Sequence, residues 1–337
     1  MVDIREIINA SNMSFNTFDE TVNSKIILEQ WFDLIYKCKE ELTDLSQIDE
    51  KNTNGYTINF ETVDAIKEDV LKLDDQYKKV LSMQKDTKNN FIIGKEQDSI
   101  GVICLVSDGN PYVMMEFISK SILTHNAIII AQNTEYMKAT NNLLVKLLQK
   151  ELSELKIDEK VVQLIYVGEF DELLSSTTSI KKVFVSGNKE LSNAIITTSK
   201  IPVRRLGYGY YDIYVEDKSN IDLVKSLLKN QASFDIYLND DIELDFFEDA
   251  ISVKDVDEAI FQINNLGTNY SSGIFTNDSE NGVRFLKEIK SDFVSVNASP
   301  FVEKYDLINI KELIKEKTVY YPFAFNSDEK LEFKNNK

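Results

Sequence analysis

Two hydrophobic periods divide the chain. Apolar residues recur at every third or fourth position between residues 3 and 48, and again between 58 and 84, which predicts amphipathic helices. From about residue 88 the pattern changes to short apolar runs, beginning with "NNFIIGKEQDSIGVICLVS", in which Gly94 and the Asp98-Ser99 pair indicate turns. The pattern therefore predicts a helical N-terminal region followed by a part of the chain that contains strands.

Strands and helices then alternate regularly up to Gly207. A strand of a parallel sheet is buried on both faces and shows no polar stripe, so short and nearly all-apolar strands between helices favour a parallel sheet covered on both sides. The strand segments are "GVICLVS", "NAIIIAQ", "VVQLIYVG", "KKVFVSG" and "IPVRRLG", and the helical segments are 111–123, 134–155, 169–174 and 188–198. This order predicts an α/β fold with a doubly wound, Rossmann-type sheet.

A second, smaller α/β unit is predicted after Gly207. Its strand segments are "YYDIYVED", "FDIYLND", "SSGIFT" and "DFVSVNAS", and its helical segments are 219–230, 255–265 and 278–289. We therefore divide the chain into an N-terminal arm with the Rossmann-type domain (1–206), a second α/β domain (207–322) and a charged C-terminal tail (323–337).

The net charge argues against some classes of binding partner. The chain has 56 acidic and 38 basic residues, a formal net charge of −18, and this charge repels nucleic acid and anionic membranes. The longest apolar runs are of strand length, and the first residues do not have the pattern of a secretion signal. These features predict a cytoplasmic protein that binds neither nucleic acid nor membrane.

Few residues of conventional catalytic type are present. One histidine and two cysteines are too few for a zinc cluster or a disulfide framework, and a single histidine argues against a Ser-His-Asp triad or a Cys-His pair. Cys104 lies in a strand pattern, Cys38 in a helical pattern, and His125 in a turn before a strand, so we expect all three to be structural. The acidic runs are read as solvated faces, and no metal site is predicted.

Candidate ligand contacts lie where strands end. In "VSDGNPYVMMEF" a loop with Gly109 leads into a helix that begins at Pro111, and "AQNTE" offers Thr134 as a helix N-cap. In parallel sheets these carboxyl-end loops bind ligands. Ordinary helix capping is the alternative at each position. The alternative to an open crevice is one filled by tyrosines, and the candidates are Tyr112, Tyr136, Tyr208 and Tyr210.

"GYGYY" at 207–211 is not read as a phosphate-binding loop. Its third glycine position holds Asp212, and the segment leads into a strand instead of a helix. A Gly-x-Gly pair alone is a weak signal, so this motif does not support nucleotide binding.

Three blocks in order resemble the gamma-glutamyl phosphate reductase (glutamate-5-semialdehyde dehydrogenase) branch of the aldehyde dehydrogenase superfamily. They begin with "IGVICLVSDGNPYVMMEF", "VFVSGNKELSNAIITTSKIPVRRLG" and "VDEAIFQINNLGTNYSSGIFTNDSENGVRFLKEIKSDFVSVNASP". The resemblance covers roughly residues 88–300 and implies a cofactor domain for NADP or NAD followed by a catalytic-type domain. The positions expected at the cofactor crevice are Ser107, Asp108, Gly109, Asn110, Pro111, Asn133, Thr134, Glu135, Gly187 and Gly207.

The departures from this family concern the catalytic residues. The resemblance implies a long segment with the nucleophilic cysteine between the two halves of "SLLKNQASFDIYLND" (226–240), and here that segment is absent. Ser233 has no base beside it, so no catalytic residue is predicted. Arg205 stands where the family has a carboxylate, and Ala131 where it has a basic residue near the adenosine ribose. The closing glycine-rich stretch is replaced by "NIKELIKEKTVYY".

Three functional hypotheses follow. The first is a pseudoenzyme, shortened in its catalytic domain, that binds a nucleotide, a small metabolite or a protein partner. The second is a residual or repurposed NAD(P)-dependent oxidoreductase that needs no thiol. The third is a structural assembly protein. The segments near 88–98 and "TVYYPFAF" resemble the strands by which the superfamily pairs subunits, which predicts a homodimer.

Overall fold

The computed structural model describes residues 3–18, 23–53, 55–74, 80–86, 91–206, 211–228, 234–243, 247, 250–267, 270–300 and 308–322. The 231–233 joint, Gly207 with Tyr208 and Tyr210, and the 323–337 tail lie outside the described residues, so the predictions made for them stay predictions.

The N-terminal region is helical up to Asp74, as predicted, but residues 80–84, which the pattern assigned to a helix, belong to a strand. Its helices are α1 (Ile4–Thr17), α2 (Ser24–Lys37), α3 (Lys39–Thr53) and α4 (Phe60–Asp74). Asp3 and Asn23 begin the first two by accepting hydrogen bonds from main-chain N–H groups of the first turn. Two antiparallel strands follow, β1 (Val80–Asp86) and β2 (Phe91–Ser99).

The first parallel sheet has five strands. They are β3 (Val102–Ser107), β4 (Ala127–Gln132), β5 (Val162–Tyr166), β6 (Ile180–Ser186) and β7 (Val203–Leu206), in the spatial order β5-β4-β3-β6-β7. The helices between them are α5 (Pro111–Leu123), α6 (Lys138–Glu154), α7 (Asp171–Ser175) and α8 (Lys189–Thr198). The doubly wound, Rossmann-type fold class is confirmed, and α5 has the predicted bounds.

Alternate residues of the central strands pack on opposite faces of this sheet. Ile103 and Leu105 of β3 belong to the larger core with α2, α5 and α6, whereas Cys104 and Val106 pack in a second core that includes residues of α1 and α8. Trp31 of α2 is fully buried in the larger core, and its indole Nε1 donates to the carbonyl of Leu144 in α6 at 3.0 Å. The N-terminal helices are therefore an integral layer of the first domain.

The second parallel sheet repeats this strand order. Its elements are β8 (Tyr211–Val215), α9 (Ile221–Leu228), β9 (Phe234–Asn239), β10 (Ile251–Val253), α10 (Val256–Leu266), β11 (Ser271–Phe275), α11 (Ser279–Glu288) and β12 (Phe293–Val296). The spatial order is β10-β9-β8-β11-β12, with every pair parallel. The predicted second α/β unit is confirmed. The sequence pattern missed β10, which has only three residues.

The last described segment returns to the first domain. Strand β13 (Ile314–Pro322) pairs antiparallel with β2 and completes a three-stranded sheet β1-β2-β13. Buried polar groups hold this segment, because Lys120 Nζ donates to the Ile308 carbonyl at 2.9 Å and Asn126 Nδ2 to the Leu313 carbonyl at 2.8 Å. The 207–322 range expected as one domain thus includes a strand that belongs to a different sheet. No helix in the described ranges is long and apolar enough to cross a bilayer.

Candidate functional site

The first crevice lies between the ends of β3 and β6. The strand order reverses there, since β4 lies on one side of β3 and β6 on the other, and ligands of open α/β sheets bind at such switch points. The two strand ends are joined by a hydrogen bond from the main-chain N–H of Asp108 to the carbonyl of Ser186 at 3.0 Å. Predicted site residues from β3 and β6 therefore meet at this edge.

Two predicted glycines are required by the backbone at this edge. Gly109 has φ 105°, and a Cβ there would lie 2.5 Å from both Gln132 Nε2 and the Tyr136 carbonyl oxygen. Gly187 has φ 153°, and a Cβ there would lie 2.8 Å from Leu191 Cδ2. Side chains rarely adopt these conformations, so both glycines let the loops approach one another closely.

The loop after β3 is stabilised by its own side chains. Ser107 Oγ accepts from the Gly109 N–H at 3.0 Å, and Asp108 Oδ1 accepts from the Asn110 N–H at 3.3 Å. Asn110 is the N-cap of α5, because its Oδ1 accepts from the N–H groups of Tyr112 at 3.0 Å and Val113 at 3.4 Å. At Asn110, ordinary helix capping accounts for the side chain.

The predicted start of the following helix is wrong. Thr134 is not its N-cap, because α6 begins at Lys138 after Met137, which has φ 51°. The hydroxyl of Thr134 instead donates to the Asp108 carbonyl at 3.1 Å and ties the β3 and β4 loops together. Glu135 forms an ion pair with Lys138 at 2.7 Å on the surface.

Asp49 of α3 caps α6, although it lies 91 residues before Thr140 in the sequence. Its carboxylate accepts from the Ala139 N–H at 3.2 Å, from the Thr140 N–H at 2.9 Å and from Thr140 Oγ1 at 2.7 Å. The side chain is buried, with 4% of the residue surface exposed. An anion is favoured at a helix N-terminus, and here the chain supplies that anion itself.

An aromatic cluster covers the loop after β3. Tyr56 stacks on Tyr112 with ring centroids 5.6 Å apart, lies edge-on to Tyr136 at 6.4 Å, and donates its hydroxyl to Asn110 Oδ1 at 3.1 Å. Tyr112 Oη in turn accepts from the Asn59 N–H at 2.6 Å. The part of the crevice at the start of α5 is therefore filled by the predicted Tyr112 and Tyr136 together with Tyr56, which sequence reasoning missed.

A cavity of about 260 Å³ is left among the loops that follow β3, β4 and β6. The described residues that line it are Asp108, Asn133, Thr134, Asn188 and Leu191. A carboxylate, two amides and a hydroxyl form hydrogen bonds well with the hydroxyl groups of a sugar. Burial raises the pKa of the Asp108 carboxyl, since its charged form is poorly solvated there.

The predicted site residues thus fall into three groups: those at the cavity, those that build the adjoining loop, and one on the surface. Asp108, Asn133 and Thr134 line the cavity, and Gly187 shapes its edge. Ser107, Gly109, Asn110 and Pro111 build the loop and the start of α5, while Glu135 lies on the surface. Asn188 and Leu191 were missed, although the N-cap position of Asn188 after Gly187 was a usable sequence signal.

The second sheet has a crevice at its own switch point, between the ends of β8 and β11. Two adjoining cavities, of about 450 Å³ and 600 Å³, share Asn277, Asp278 and Ser279 in their lining. Glu216, after β8, accepts from Thr276 Oγ1 and from Asn281 Nδ2, and Asp217 accepts from the Asn277 N–H at 2.6 Å. These carboxylates connect the strand ends to the start of α11, and sequence reasoning had placed no site there.

Neither cysteine lies at a crevice. Cys104 is fully buried in the middle of β3, where burial raises the pKa of its thiol to about 12. Cys38 is half-buried at the C-terminal end of α2. His125 lies in the predicted turn, with φ 55° and Nε2 3.2 Å from Ser24 Oγ. Across the described ranges, no group of three or more His, Cys, Asp and Glu side chains could hold a metal ion.

Comparisons with known proteins agree with the fold and with the resemblance noted in the sequence. The chain is 25% identical over 287 residues to the gamma-glutamyl phosphate reductase of Dictyoglomus thermophilum, with 69% of each chain covered. It superposes on the crystal structure of the Thermotoga maritima gamma-glutamyl phosphate reductase with a TM-score of 0.70 and 16% identity, over 95% of this chain and 98% of the other. The chain is gamma-glutamyl phosphate reductase-like. No family model matches it.

More distant structural neighbours are other aldehyde dehydrogenases. A betaine aldehyde dehydrogenase from Staphylococcus aureus, in complex with NAD⁺, has a TM-score of 0.68 at 13% identity, over 96% of this chain and 88% of the other. A glyceraldehyde-3-phosphate dehydrogenase from Methanocaldococcus jannaschii, in complex with NADP, has a TM-score of 0.65 at 14% identity, over 94% of each chain. These likenesses confirm the aldehyde dehydrogenase fold.

This chain lacks residues that a relative has. Its alignment with the reductase of Clostridium perfringens, 24% identical, extends over 354 positions, more than the 337 residues of this chain, yet covers only 85% of it. The relative therefore contributes residues opposite gaps in this chain. This agrees with a shortened sequence.

Arg205, the charge reversal noted in the sequence, joins the two parallel-sheet domains. From β7 its Nη1 donates to the Gly267 carbonyl at the end of α10 at 2.8 Å, and its Nη2 donates to Asn193 Oδ1 of α8 at 2.6 Å. Burial lowers the pKa of its guanidinium, and the charge of Asp212 opposes that shift. Ala131 is fully buried in β4 and offers no charge to a nucleotide.

Proposed function

We propose that this chain is a binding protein with the aldehyde dehydrogenase fold, a pseudoenzyme that binds a nucleotide in the first crevice without the covalent thiol chemistry of that fold. The observation that carries the proposal is the placement of its cysteines. Cys104 is enclosed in β3, and Cys38 lies on α2, so neither thiol is positioned at a strand-end crevice.

The chemistry explains why this placement matters. Covalent oxidation or reduction at a carbonyl begins with attack by a thiolate, which needs a lowered pKa and access to the substrate. Cys104 has no exposed surface and a thiol pKa raised to about 12, so the thiolate form is disfavoured at neutral pH. The proposed loss of the nucleophile segment at 226–240 is consistent with the gaps in the alignment with the reductase of C. perfringens.

A nucleotide is the proposed ligand because of the position and lining of the first crevice. It lies at the switch point of a Rossmann-type sheet, and Asp108, Asn133 and Asn188 present groups that bond sugar hydroxyls. Two structural neighbours were solved with NADP or NAD⁺. NADPH and NADH are therefore the first ligands to test.

The test is a calorimetric titration of the full chain with NADPH and with NADH. Leu191→Trp would fill the cavity, and Ile196→Trp is the matched control, because Ile196 is 44% exposed on the same helix, α8. Saturable binding that Leu191→Trp abolishes and Ile196→Trp preserves supports the proposal. Turnover of glutamate semialdehyde, followed by the absorbance of the reduced cofactor, would refute the pseudoenzyme assignment. Turnover that persists in a variant without cysteines would identify a thiol-independent oxidoreductase instead.

We also propose that the protein forms a homodimer through the β1-β2-β13 sheet. Strands β1 and β13 are its two edges among the described residues, and edge strands can pair with a second chain. Tyr320 of β13 is 61% exposed. We expect sedimentation to give a dimer for the wild type and a monomer for Tyr320→Arg. A monomeric wild type would contradict the proposal.

A further inference from the structure

The loops that follow the strands of the second sheet bring acidic residues together at one edge. Because all five strands are parallel, the loops after β8, β9, β10 and β11 lie at the same edge of the sheet. Their described parts, with the first helical turns, are 216–220, 240–243, 254–258 and 276–280, and they carry ten carboxylates and two lysines. This edge therefore holds −8 of the formal net charge of −18.

Three of these carboxylates lie at the switch point of the sheet. Glu216, Asp217 and Asp278 accept their hydrogen bonds from hydroxyl, amide and main-chain N–H groups. Such neutral donors orient a carboxylate and leave its negative charge in place. In the described ranges the two lysines of the edge pair with other carboxylates, at 3.6 and 4.0 Å. The switch point is thus a region of uncompensated negative charge.

An open groove with an apolar wall adjoins these carboxylates. The cavity of about 600 Å³ is lined by all three, and the adjoining one of about 450 Å³ extends between α11 and the end of β12. Its apolar wall consists of Val283 and Leu286 of α11 and Val296 of β12. Val283 is 50% exposed and Leu286 is 48% exposed, whereas Phe285 on the inner face of α11 is fully buried. Two large apolar side chains are therefore open to solvent beside the negative charge.

Charge and apolar surface together select the occupant of this groove. Anionic ligands are repelled by the edge, and a second copy of the chain carries the same net charge of −18. A compact cation would pair with the carboxylates and leave Val283 and Leu286 exposed. The groove therefore favours a molecule that presents positive charges and apolar groups side by side.

We propose that this groove is a docking surface for a basic, amphipathic segment of a protein partner. Lysine or arginine side chains of the segment pair with Glu216, Asp217 and Asp278, and its apolar side chains pack against Val283 and Leu286. Complementary charge of this kind steers association and fixes the register of the bound segment. The surface is separate from the first crevice, so the proposal goes beyond nucleotide binding and does not depend on it.

The test uses a synthetic peptide that alternates lysine and leucine, titrated calorimetrically into the full chain. Two comparison peptides replace every leucine by serine or every lysine by glutamate. The lysine-leucine peptide should bind about tenfold or more tighter than either, because only it combines buried apolar surface with opposite charge. Its affinity should fall as the salt concentration rises. No binding of this peptide at low salt, or equal binding of the serine peptide, would overturn the proposal.

Variants then locate the peptide in the groove. Leu286→Ser should weaken binding by about tenfold. The control is Leu266→Ser, since Leu266 is 51% exposed on α10 and does not line the groove. Ser279 lines both cavities, so Ser279→Lys should weaken binding more than Ser279→Gln, which has similar length and no charge. Equal effects within either pair would mean that the peptide is held by the general negative charge, and the proposal would fail.

Sedimentation distinguishes a protein partner from a second copy of the chain. Leu286→Ser and Leu266→Ser should both keep the oligomeric state of the wild type. An oligomer that only Leu286→Ser dissociates would identify the groove as an interface between copies and overturn the proposal. The nucleotide titration of Leu286→Ser should match that of the wild type, so failure of the docking proposal and failure of the proposed function are read from different measurements.

Discussion

Replacing Asp49 by alanine should destabilise the first domain more than any ordinary surface substitution. The change removes the acceptor for the N–H groups of Ala139 and Thr140 and for the Thr140 hydroxyl, at 3.2, 2.9 and 2.7 Å. Because Asp49 is 4% exposed, water cannot easily replace the lost carboxylate. The result is an uncapped α6 in the layer that covers the first sheet.

The expected cost follows from the geometry. Loss of an N-cap side chain costs about 0.5–2 kcal/mol, and buried donors left unsatisfied cost about 1–3 kcal/mol. Asp49→Ala should therefore lower the free energy of unfolding by about 2–4 kcal/mol. Asp49→Asn keeps one acceptor oxygen and should cost about half as much.

Urea unfolding followed by Trp31 fluorescence is the assay. Trp31 is the sole tryptophan, it is fully buried, and it donates to Leu144 of α6, so its emission reports on the helix that Asp49 caps. At typical urea dependences the midpoint should fall by roughly 1 M or more. The control is Asp44→Ala, at an exposed position of the same helix, which should stay within about 0.5 kcal/mol of wild type. Equal midpoints for Asp49→Ala and Asp44→Ala would refute the capping argument.

Three further outcomes are expected. A thiol reagent should modify only Cys38 in the native protein, because Cys104 is buried and its pKa is raised to about 12. In urea the reagent should modify both cysteines. Rapid modification of both in the native protein would contradict the burial of Cys104. Arg205→Ala should lower the free energy of unfolding in urea by about 2–3 kcal/mol, because two hydrogen bonds are lost. Arg205→Glu should lower it more, since it places a carboxylate near Asp212. A larger loss for Arg205→Ala than for Arg205→Glu would be inconsistent with this contact. Burial raises the pKa of Asp108, so the free energy of unfolding of the wild type should fall as the pH rises through the folded pKa. Asp108→Asn should therefore be more stable than the wild type near neutral pH by about 0.5–1 kcal/mol, and this gain should disappear in acid. A gain at every pH would contradict this explanation.

Local signals predicted some elements well. The Asn110-Pro111 pair combines an N-cap with a residue suited to the first helical position, and α5 has the predicted bounds. The apolar β3 and β4 runs likewise indicated buried parallel strands, because neither shows a polar stripe. In α5, β3 and β4 the signal for the helix or strand comes from residues of that same segment, so a local sequence pattern is sufficient to predict it.

Elements stabilised from elsewhere in the chain were predicted poorly. Thr134 has the residue type of an N-cap, yet α6 begins at Lys138, because its first N–H groups bond to Asp49 of a different helix. No sequence window contains both partners. The three-residue β10 was missed because pairing with β9 defines it, rather than any hydrophobic period of its own.

The same distinction applies to the candidate site. The chain pattern placed Asp108, Asn133 and Thr134 at the carboxyl edge of the first sheet, and the structure brings all three to one cavity. What the pattern could not indicate is which part of that edge is open. That depends on long-range contacts of Asp49 and Tyr56 with α6 and α5.

The two sheets have the same strand order but differ in the open volume at their switch points. At the second, Glu216 and Asp217 bond to groups of β11 and α11, and open cavities of about 450 and 600 Å³ lie beside them. At the first, an arm of the same domain bonds to the helix starts and leaves 260 Å³. Because the strand order is the same in both sheets, it does not explain the difference in cavity volume, which comes from the segments that pack against each sheet. The size of the first cavity is therefore set by Asp49 and Tyr56 as well as by the loops that follow the strands.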